Sequence, residues 1–364
     1  MATHQLDTQE LAMIGKRLQL ARRAAGMSLR DLEARIDKSV SAQALSKYER
    51  DEMMPGSDVL AKIARALEVS ESYLLGQNEL TLESVEFRKN KITSKKDEAS
   101  IEASVLSAVE RYLEIEEFVG LSSAAWAKPD GVPFRADEPA AAENAAMRLR
   151  ASWKLGNDPI PNLVEFLEEQ GIKVLQLELS KNVSGLACVA RRSKGVDVPV
   201  VIANLGDTGE RQRFTLAHEL GHHVLEAPEG AKGEKVMHWF AGAFLMPAEI
   251  LWREVGKHRD ALSIGELVEL KMLFKVSIQA ITYRLKDLGI IGESLFKRLF
   301  DEFEKRGWRK PPYREPGDIK PEKPERFTRL CYRAVAEGAI SEAKGAELLG
   351  ITVRELGRKL DSAA

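Results

Sequence analysis

Apolar and polar positions follow two different periods along this chain, and the change of period divides it. Leu11, Ile14, Leu18, Ala21 and Ala25 fall three and four residues apart, on one face of a helix. Gly26 ends that helix, because glycine takes the left-handed terminal conformation at little cost. Ser28 caps a second helix with Leu29, Leu32 and Ile36 inward, and Ser41 opens a third, SAQALSKYER. After the Pro55-Gly56 turn, a fourth helix carries Leu60, Ile63, Ala64 and Leu67 inward. The short SESYLLG closes an all-helical unit over residues 1–78.

The pattern then changes. Arg88–Lys96 (RKNKITSKK) holds five basic residues and no acid and reads as a linker. A helix is predicted from Asp97 to about Val119, and a loop rich in Ala, Pro, Gly and Ser over 121–139, so 79–139 is read as a linker with a helix. Helices are predicted over 140–155 and 161–170. The runs IKVLQLEL, GLACVA and PVVIANL are bounded by Gly, Asn and Lys and read as strands of one sheet. Helices return over 208–226 and 234–255, which gives an α+β domain over 140–262. A helix-turn-helix-like segment occupies 263–308, and five prolines between Pro311 and Pro324 predict an extended linker over 309–326. A small helical tail, 327–364, ends the chain. The fold class is therefore α+β and multidomain: an all-α N-terminal domain, an α+β domain with a small sheet, and a helical C-terminal region.

Composition narrows the class. The chain has 364 residues, 44% hydrophobic and 30% charged, which excludes wholesale disorder. The net charge is -2, so any nucleic-acid contact must come from a local basic patch. Two distant cysteines, Cys188 and Cys331, cannot build a disulfide framework and fit a reducing cytoplasm. No apolar run is long enough for a membrane span, and MATHQLDTQELA lacks the pattern of a signal peptide. A cytoplasmic protein without a membrane partner is the expectation.

The sharpest chemistry lies in His218-Glu219-Leu220-Gly221-His222. Residues four apart on a helix share a face, so His218 and His222 can converge on one tetrahedral cation. Glu219 beside them can take a proton from a water held at that cation. Leu225 and Pro228 stand where the longer metzincin pattern needs Gly and His, which excludes that class. On the next helix Glu234 and His238 are again four apart. Either can complete the site, with the other behind it. His223 points about 100° away and reads as a partly buried structural histidine. Two imidazoles and a carboxylate favour Zn2+, with Mn2+ compatible with the same donors.

RFTLAHELGHHVLE followed by EKVMHWFAGAFLMP resembles the ImmA/IrrE family of bacterial and phage metallopeptidases. The resemblance spans about 140–290 and implies a zincin-like domain. It makes His218, His222 and Glu234 the metal ligands and Glu219 the catalytic base of a metallo-endopeptidase. Met237 and His238 replace the family's usual Ala and Asn/Asp, which leaves His238 as a group behind the ligands or as an alternative ligand.

GMSLRDLEARI and VSAQALSKYERDEMMPGSDVLAKIARALEVS resemble the Xre, lambda-repressor-like helix-turn-helix family. Leu29 replaces that family's usual glutamine, and Asp37–Ser39 is a small insertion. From Leu11 to Arg50 there are nine Lys/Arg against four Asp/Glu: Lys16, Arg17, Arg22, Arg23, Arg30, Arg35, Lys38, Lys47 and Arg50 supply a phosphate-binding charge. Ser41, Ala42, Gln43, Ser46 and Lys47 are the base-reading candidates, with Arg30 and Arg50 flanking them. Gln43 suits adenine, and Lys47 suits guanine or phosphate.

Together these resemblances imply a cytoplasmic regulator of a phage-immunity, stress or toxin–antitoxin operon. It would bind double-stranded operator DNA as a homodimer and cleave a repressor or toxin protein, or its own linker. The alternative is a DNA-binding antitoxin or autorepressor whose peptidase-like domain binds its partner without hydrolysis. The second helix-turn-helix-like segment is either a packing unit or another DNA reader, and the tail either a regulatory or an oligomerisation hairpin.

Overall fold

The computed structural model describes residues 14–67, 69, 71–75, 80–84, 95–121, 126, 128–180, 183–192, 196–310 and 314–361. Leu11, residues 88–94 of the basic segment, and Pro311 and Pro312 lie outside the described residues.

Five helices form the N-terminal unit: α1 (Ile14–Ala24), α2 (Leu29–Arg35), α3 (Ala42–Glu49), α4 (Ser57–Leu67) and α5 (Glu71–Leu75). Ser28 caps α2 in a reciprocal capping box with Asp31, and Ser41 accepts from the Ala44 N–H to cap α3. Leu18, Leu32, Leu45, Ile63 and Leu74 close the core.

The chain continues through β1 (Leu80–Ser84), α6 (Lys95–Phe118), β2 (Phe134–Arg135), α7 (Pro139–Ser152) and α8 (Leu163–Glu169). Then come β3 (Lys173–Leu177), β4 (Gly185–Arg192), β5 (Val198–Asn204), α9 (Gly209–Val224) and β6 (Leu225–Glu226). The main sheet has the order β1-β4-β5-β3. β3 and β5 are parallel, whereas β4 runs antiparallel to both β1 and β5. Leu186, Cys188 and Ala190 of β4, with Val198, Val200 and Ile202 of β5, pack on Val105, Leu106 and Val109 of α6. On the opposite face Val174, Val201 and Ala203 pack with Leu216, Ala217 and Leu220 of α9. Helices cover both faces, which is why β5 is buried throughout and apolar from Val198 to Ala203 rather than alternating.

The remaining helices are α10 (Ala231–Leu245), α11 (Ala248–Val255), α12 (Ile264–Phe274), α13 (Ile278–Asp287), α14 (Glu293–Lys305), α15 (Arg326–Ala336), α16 (Glu342–Leu349) and α17 (Val353–Asp361). The helix expected over 234–255 is two helices. Pro247 lacks an N–H and cannot sit inside a helix, so α10 stops at Leu245. Buried arginines take the freed carbonyls: Arg150 donates to Phe244 O (2.6 Å) and Arg284 to Met246 O (3.1 Å). The helix expected to reach 226 ends at Val224, and Leu225–Glu226 pairs with β2 instead.

Three expected linkers or tails are built into the body. Leu80–Ser84 of the expected linker is an edge strand, and α6 buries Ala103, Val105, Leu106, Val109, Tyr112 and Ile115. Lys173 donates to Glu116 on α6 (2.6 Å), both side chains 2% exposed, and its ammonium stands 4.1 Å from the Tyr112 ring centre. Residues 314–325 of the expected Pro-rich linker strap the helix ends. Glu315 accepts from the Ile278 N–H (2.7 Å) and from Lys271 (3.3 Å). Glu322 accepts from the Leu163 N–H (2.7 Å) and pairs with Arg213. The strap lies so close to α9 that a Cβ at Gly209 would strike the backbone of Ile319 and Lys320. The C-terminal helices dock on α6 through Leu330, Cys331, Ala334, Ile340 and Leu348, against Tyr112 and Ile115.

α6 also holds the N-terminal unit. Arg17, expected to serve phosphates, is buried: it donates to Tyr73 O (2.8 Å) and to Glu110 on α6 (3.4 Å). Burial outweighs the Arg17 charge and pushes the Glu110 carboxyl up to about 7. Glu168, which accepts from the Tyr112 hydroxyl (3.2 Å), is likewise raised to about 7 by burial.

Two outcomes follow from this packing. Lys173→Met leaves the buried Glu116 carboxylate with only the more distant Arg326 (3.7 Å) and is expected to cost about 3 kcal/mol in urea unfolding. The double variant with Glu116→Leu should recover most of that loss, and equal losses would show that the pair is not the cause. A carboxyl raised in the folded state contributes stability below its unfolded pKa and loses it as pH rises through about 7. Stability should therefore fall over that window. Glu110→Gln should flatten part of the fall, with Glu168 retaining the rest, as urea midpoints against pH would show.

Candidate metal centre and DNA-reading helix

α9 is fixed before its histidines are placed. Gln212, 2% exposed, donates to Asn204 O (2.9 Å) and Asp207 O (3.1 Å), which fastens the helix start to the end of β5. On the same helix His218 and His222 stand with ring centres 5.2 Å apart. α10 approaches from the side and brings Glu234 Oε2 to 3.5 Å from His218 Nε2. One donor atom each from His218, His222 and Glu234 lies within 4.8 Å of the others. Among the described residues this is the one such cluster of three.

The donor set fits a divalent cation. His218 Nδ1 is buried with no hydrogen-bond partner, an arrangement that is costly unless something satisfies the site. The His218 hydrogen bond, followed by the charges of His218, His222 and His238, holds the Glu234 carboxylate below its ordinary range. The His218 side chain is 12% exposed and that of Glu234 47%, so the cluster opens to solvent on the α10 side. A pocket of about 200 Å³ adjoins it, lined by His222, Glu234, Met237, Leu225, Ala227 and Pro228 among others.

Glu219 sits behind the histidines, 6% exposed. Gly185 of β4 makes room for it. A Cβ there would collide with Thr215 and lie 3.3 Å from Glu219 Cγ. His238 is brought to the same place but not into the cluster of three. Its ring lies between Phe214 (6.0 Å) and His218 (4.7 Å). His223 is structural: its Nε2 bonds Val200 O (3.0 Å), its ring meets Trp126 edge-on, and burial pushes its pKa down to about 4.

In the N-terminal unit, Gln43, Lys47, Ser41 and Arg30 are exposed, and Ala42 and Ser46 are half-buried. Arg50 is exposed but engaged, donating to Glu52 (2.6 Å) and to Ser46 Oγ (2.7 Å). Arg22 joins Arg17 in leaving the expected basic set. Its guanidinium grips Glu49 (2.5 and 2.8 Å) and Met27 O (2.7 Å). The second helix-turn-helix-like segment packs one face of α13 into the body. Ile281, Thr282, Arg284 and Leu285 of α13 are buried, and Arg284 forks onto Glu143 (2.7 and 2.6 Å).

Sequence reasoning missed Thr215 and Gly185 as walls of the site, and Gln212 as the anchor of α9. The alternation of Leu80 and Leu82 with Thr81 and Glu83 was a readable strand signal.

The architecture is that of a helix-turn-helix module joined to a metallopeptidase-like domain bearing an HExxH helix. The comparisons with known proteins agree. Residues 18–74 match the helix-turn-helix family model, and residues 167–286 match the model described as the IrrE N-terminal-like domain. The chain thus carries an Xre-like helix-turn-helix domain followed by an ImmA/IrrE-like domain. It is 37% identical over 68 residues to the HTH-type transcriptional regulator ImmR of Bacillus subtilis (strain 168), over 19% of this chain and 52% of ImmR. The chain therefore spans about half the length of the curated relative it matches. Among the described residues no helix is long and apolar enough to cross a membrane.

The geometry generates a metal test. The purified chain should hold one divalent ion, and His222→Ala or Glu234→Gln should lower that stoichiometry sharply. His238→Ala should leave it unchanged, as elemental analysis would read. Loss of the ion in His238→Ala would make that imidazole a ligand.

Proposed function

We propose that the chain is a DNA-binding transcriptional regulator carrying a metal-dependent endopeptidase. In this reading it controls a phage-immunity, stress or toxin–antitoxin operon by cleaving a partner repressor or toxin. The observation that carries it is the convergence of His218, His222 and Glu234 with Glu219 directly behind. Zn2+ suits two imidazoles and a carboxylate, and Mn2+ fits the same donors. Such an ion polarises a scissile carbonyl and acidifies water. Glu219, held by Gly185 and Thr215, takes the proton of the attacking water and passes it to the leaving amide nitrogen. Glu234 and His238 line the open side, where a peptide enters.

The other half of the reading is operator recognition. Gln43 and Lys47 stand on the exposed face of α3, with Arg30 beside them on α2, so α3 enters the major groove and the arginine holds phosphate. Two copies on paired half-sites supply enough contacts for specificity. The DNA-reading residues lie within 1–78, and the metal ligands within 140–262.

Glu219→Gln tests the catalytic half. It should keep the metal and the operator complex yet abolish cleavage when the chain is incubated with the products of adjacent genes. An unchanged response in cells would favour a binding role without hydrolysis.

A further inference from the structure

The outer edge of β4, the strand whose start abuts Glu219, is covered over Cys188–Arg192 by a strand from outside the matched domain. β4 begins at Gly185, which abuts Glu219 and Thr215. β5 flanks β4 on one side and β1 on the other. The rungs run from Leu80↔Arg192 to Ser84↔Cys188, so β1 travels along β4 towards Gly185 and the catalytic glutamate. About 10 Å of strand separates the Cys188 rung from Gly185. The IrrE N-terminal-like match starts at residue 167, whereas β1 lies at 80–84.

An uncovered β4 would offer a row of backbone donors and acceptors beside the metal centre. That is the seat an extended peptide takes when it adds a strand to a sheet. β1 holds it by modest means. Leu80 (5% exposed) and half-buried Leu82 point to α6, while Thr81 and Glu83 face solvent. Glu83 accepts from Arg191 on the diagonal, one pair over from its own rung with Val189 (2.7 Å), an exposed pair that contributes little. A five-residue strand with two apolar anchors is the scale of hold that a substrate segment can match.

We propose that the β4 edge docks an extended segment of the protein substrate and that β1 occupies this edge in cis, so that the substrate binds by displacing β1. The segment it fits has apolar residues at alternate positions, to replace Leu80 and Leu82 against α6, and polar residues between them. The role of that segment as a substrate rests on the peptidase reading above, but its docking does not require hydrolysis. Because β1 follows α5 in the chain, its displacement also releases one tether of the helix-turn-helix unit, which meets α6 separately through Arg17 with Glu110 and through Leu20.

The test uses the full chain in a Glu219→Gln background and a fluorescein-labelled peptide of residues 79–86, ELTLESVE, read by anisotropy. Leu80→Asp with Leu82→Asp should bind the peptide at least ten-fold more tightly than the parent. Thr81→Cys with Arg191→Cys lies on a facing rung on the exposed face. When oxidised it should lose peptide binding, and reduction should restore it. This second pair decides the matter if the aspartate variant fails to fold. Equal binding by the oxidised and reduced forms, or no binding by any form, overturns the docking edge. Either result leaves the metal stoichiometry and the cleavage assay to judge the peptidase reading separately.

Discussion

The burial of α6 is the constraint on which the other parts depend. One side takes the sheet through Val105, Leu106 and Val109, another takes the C-terminal helices through Tyr112 and Ile115, and Glu110 reaches the N-terminal unit. Such a helix must place charge inside the protein, and each buried charge is met. Lys173 answers Glu116, Arg17 answers Glu110, and the Tyr112 hydroxyl bonds Glu168. Buried pairs of this kind contribute little net stability compared with apolar packing, but breaking one is expensive, so they penalise misplacement of the helix. The sheet that carries α9, and with it the two histidines, is positioned against this helix.

The metal centre gains its geometry from neighbours that are not ligands. Gln212 sets where α9 starts, Gly185 lets Glu219 lie close to the sheet, and Arg150 and Arg284 satisfy the carbonyls at the end of α10. The last two matter because α10 supplies Glu234 near its start. A helix whose C-terminal carbonyls meet buried guanidinium groups is held in position along its axis as well as sideways.

What was legible in the residues was local. Ser28 and Ser41 announce helix starts by a bond made within three residues, and the HExxH spacing states its geometry outright. Glu234 and His238 share a helix face, so spacing alone could not separate them. Their difference lies in where α10 crosses α9, which is tertiary. The same holds for Arg17, whose charge reads as a phosphate contact until Glu110 is placed beside it, ninety-three residues later. The alternation over Leu80–Glu83 was readable but short, and its meaning lies in the partner strand.

The strap over 314–325 has a consequence for how this molecule can be divided. Glu315 caps α13 and Glu322 caps α8 while holding Arg213 of α9, so three elements of the metal-bearing body depend on carboxylates that lie beyond residue 286, where the family match ends. A fragment cut at that limit would leave Lys271 without its Glu315 bond and Arg213 facing no carboxylate at all. The stretch that the family model matches and the stretch over which these buried charges find their partners are different lengths of chain here.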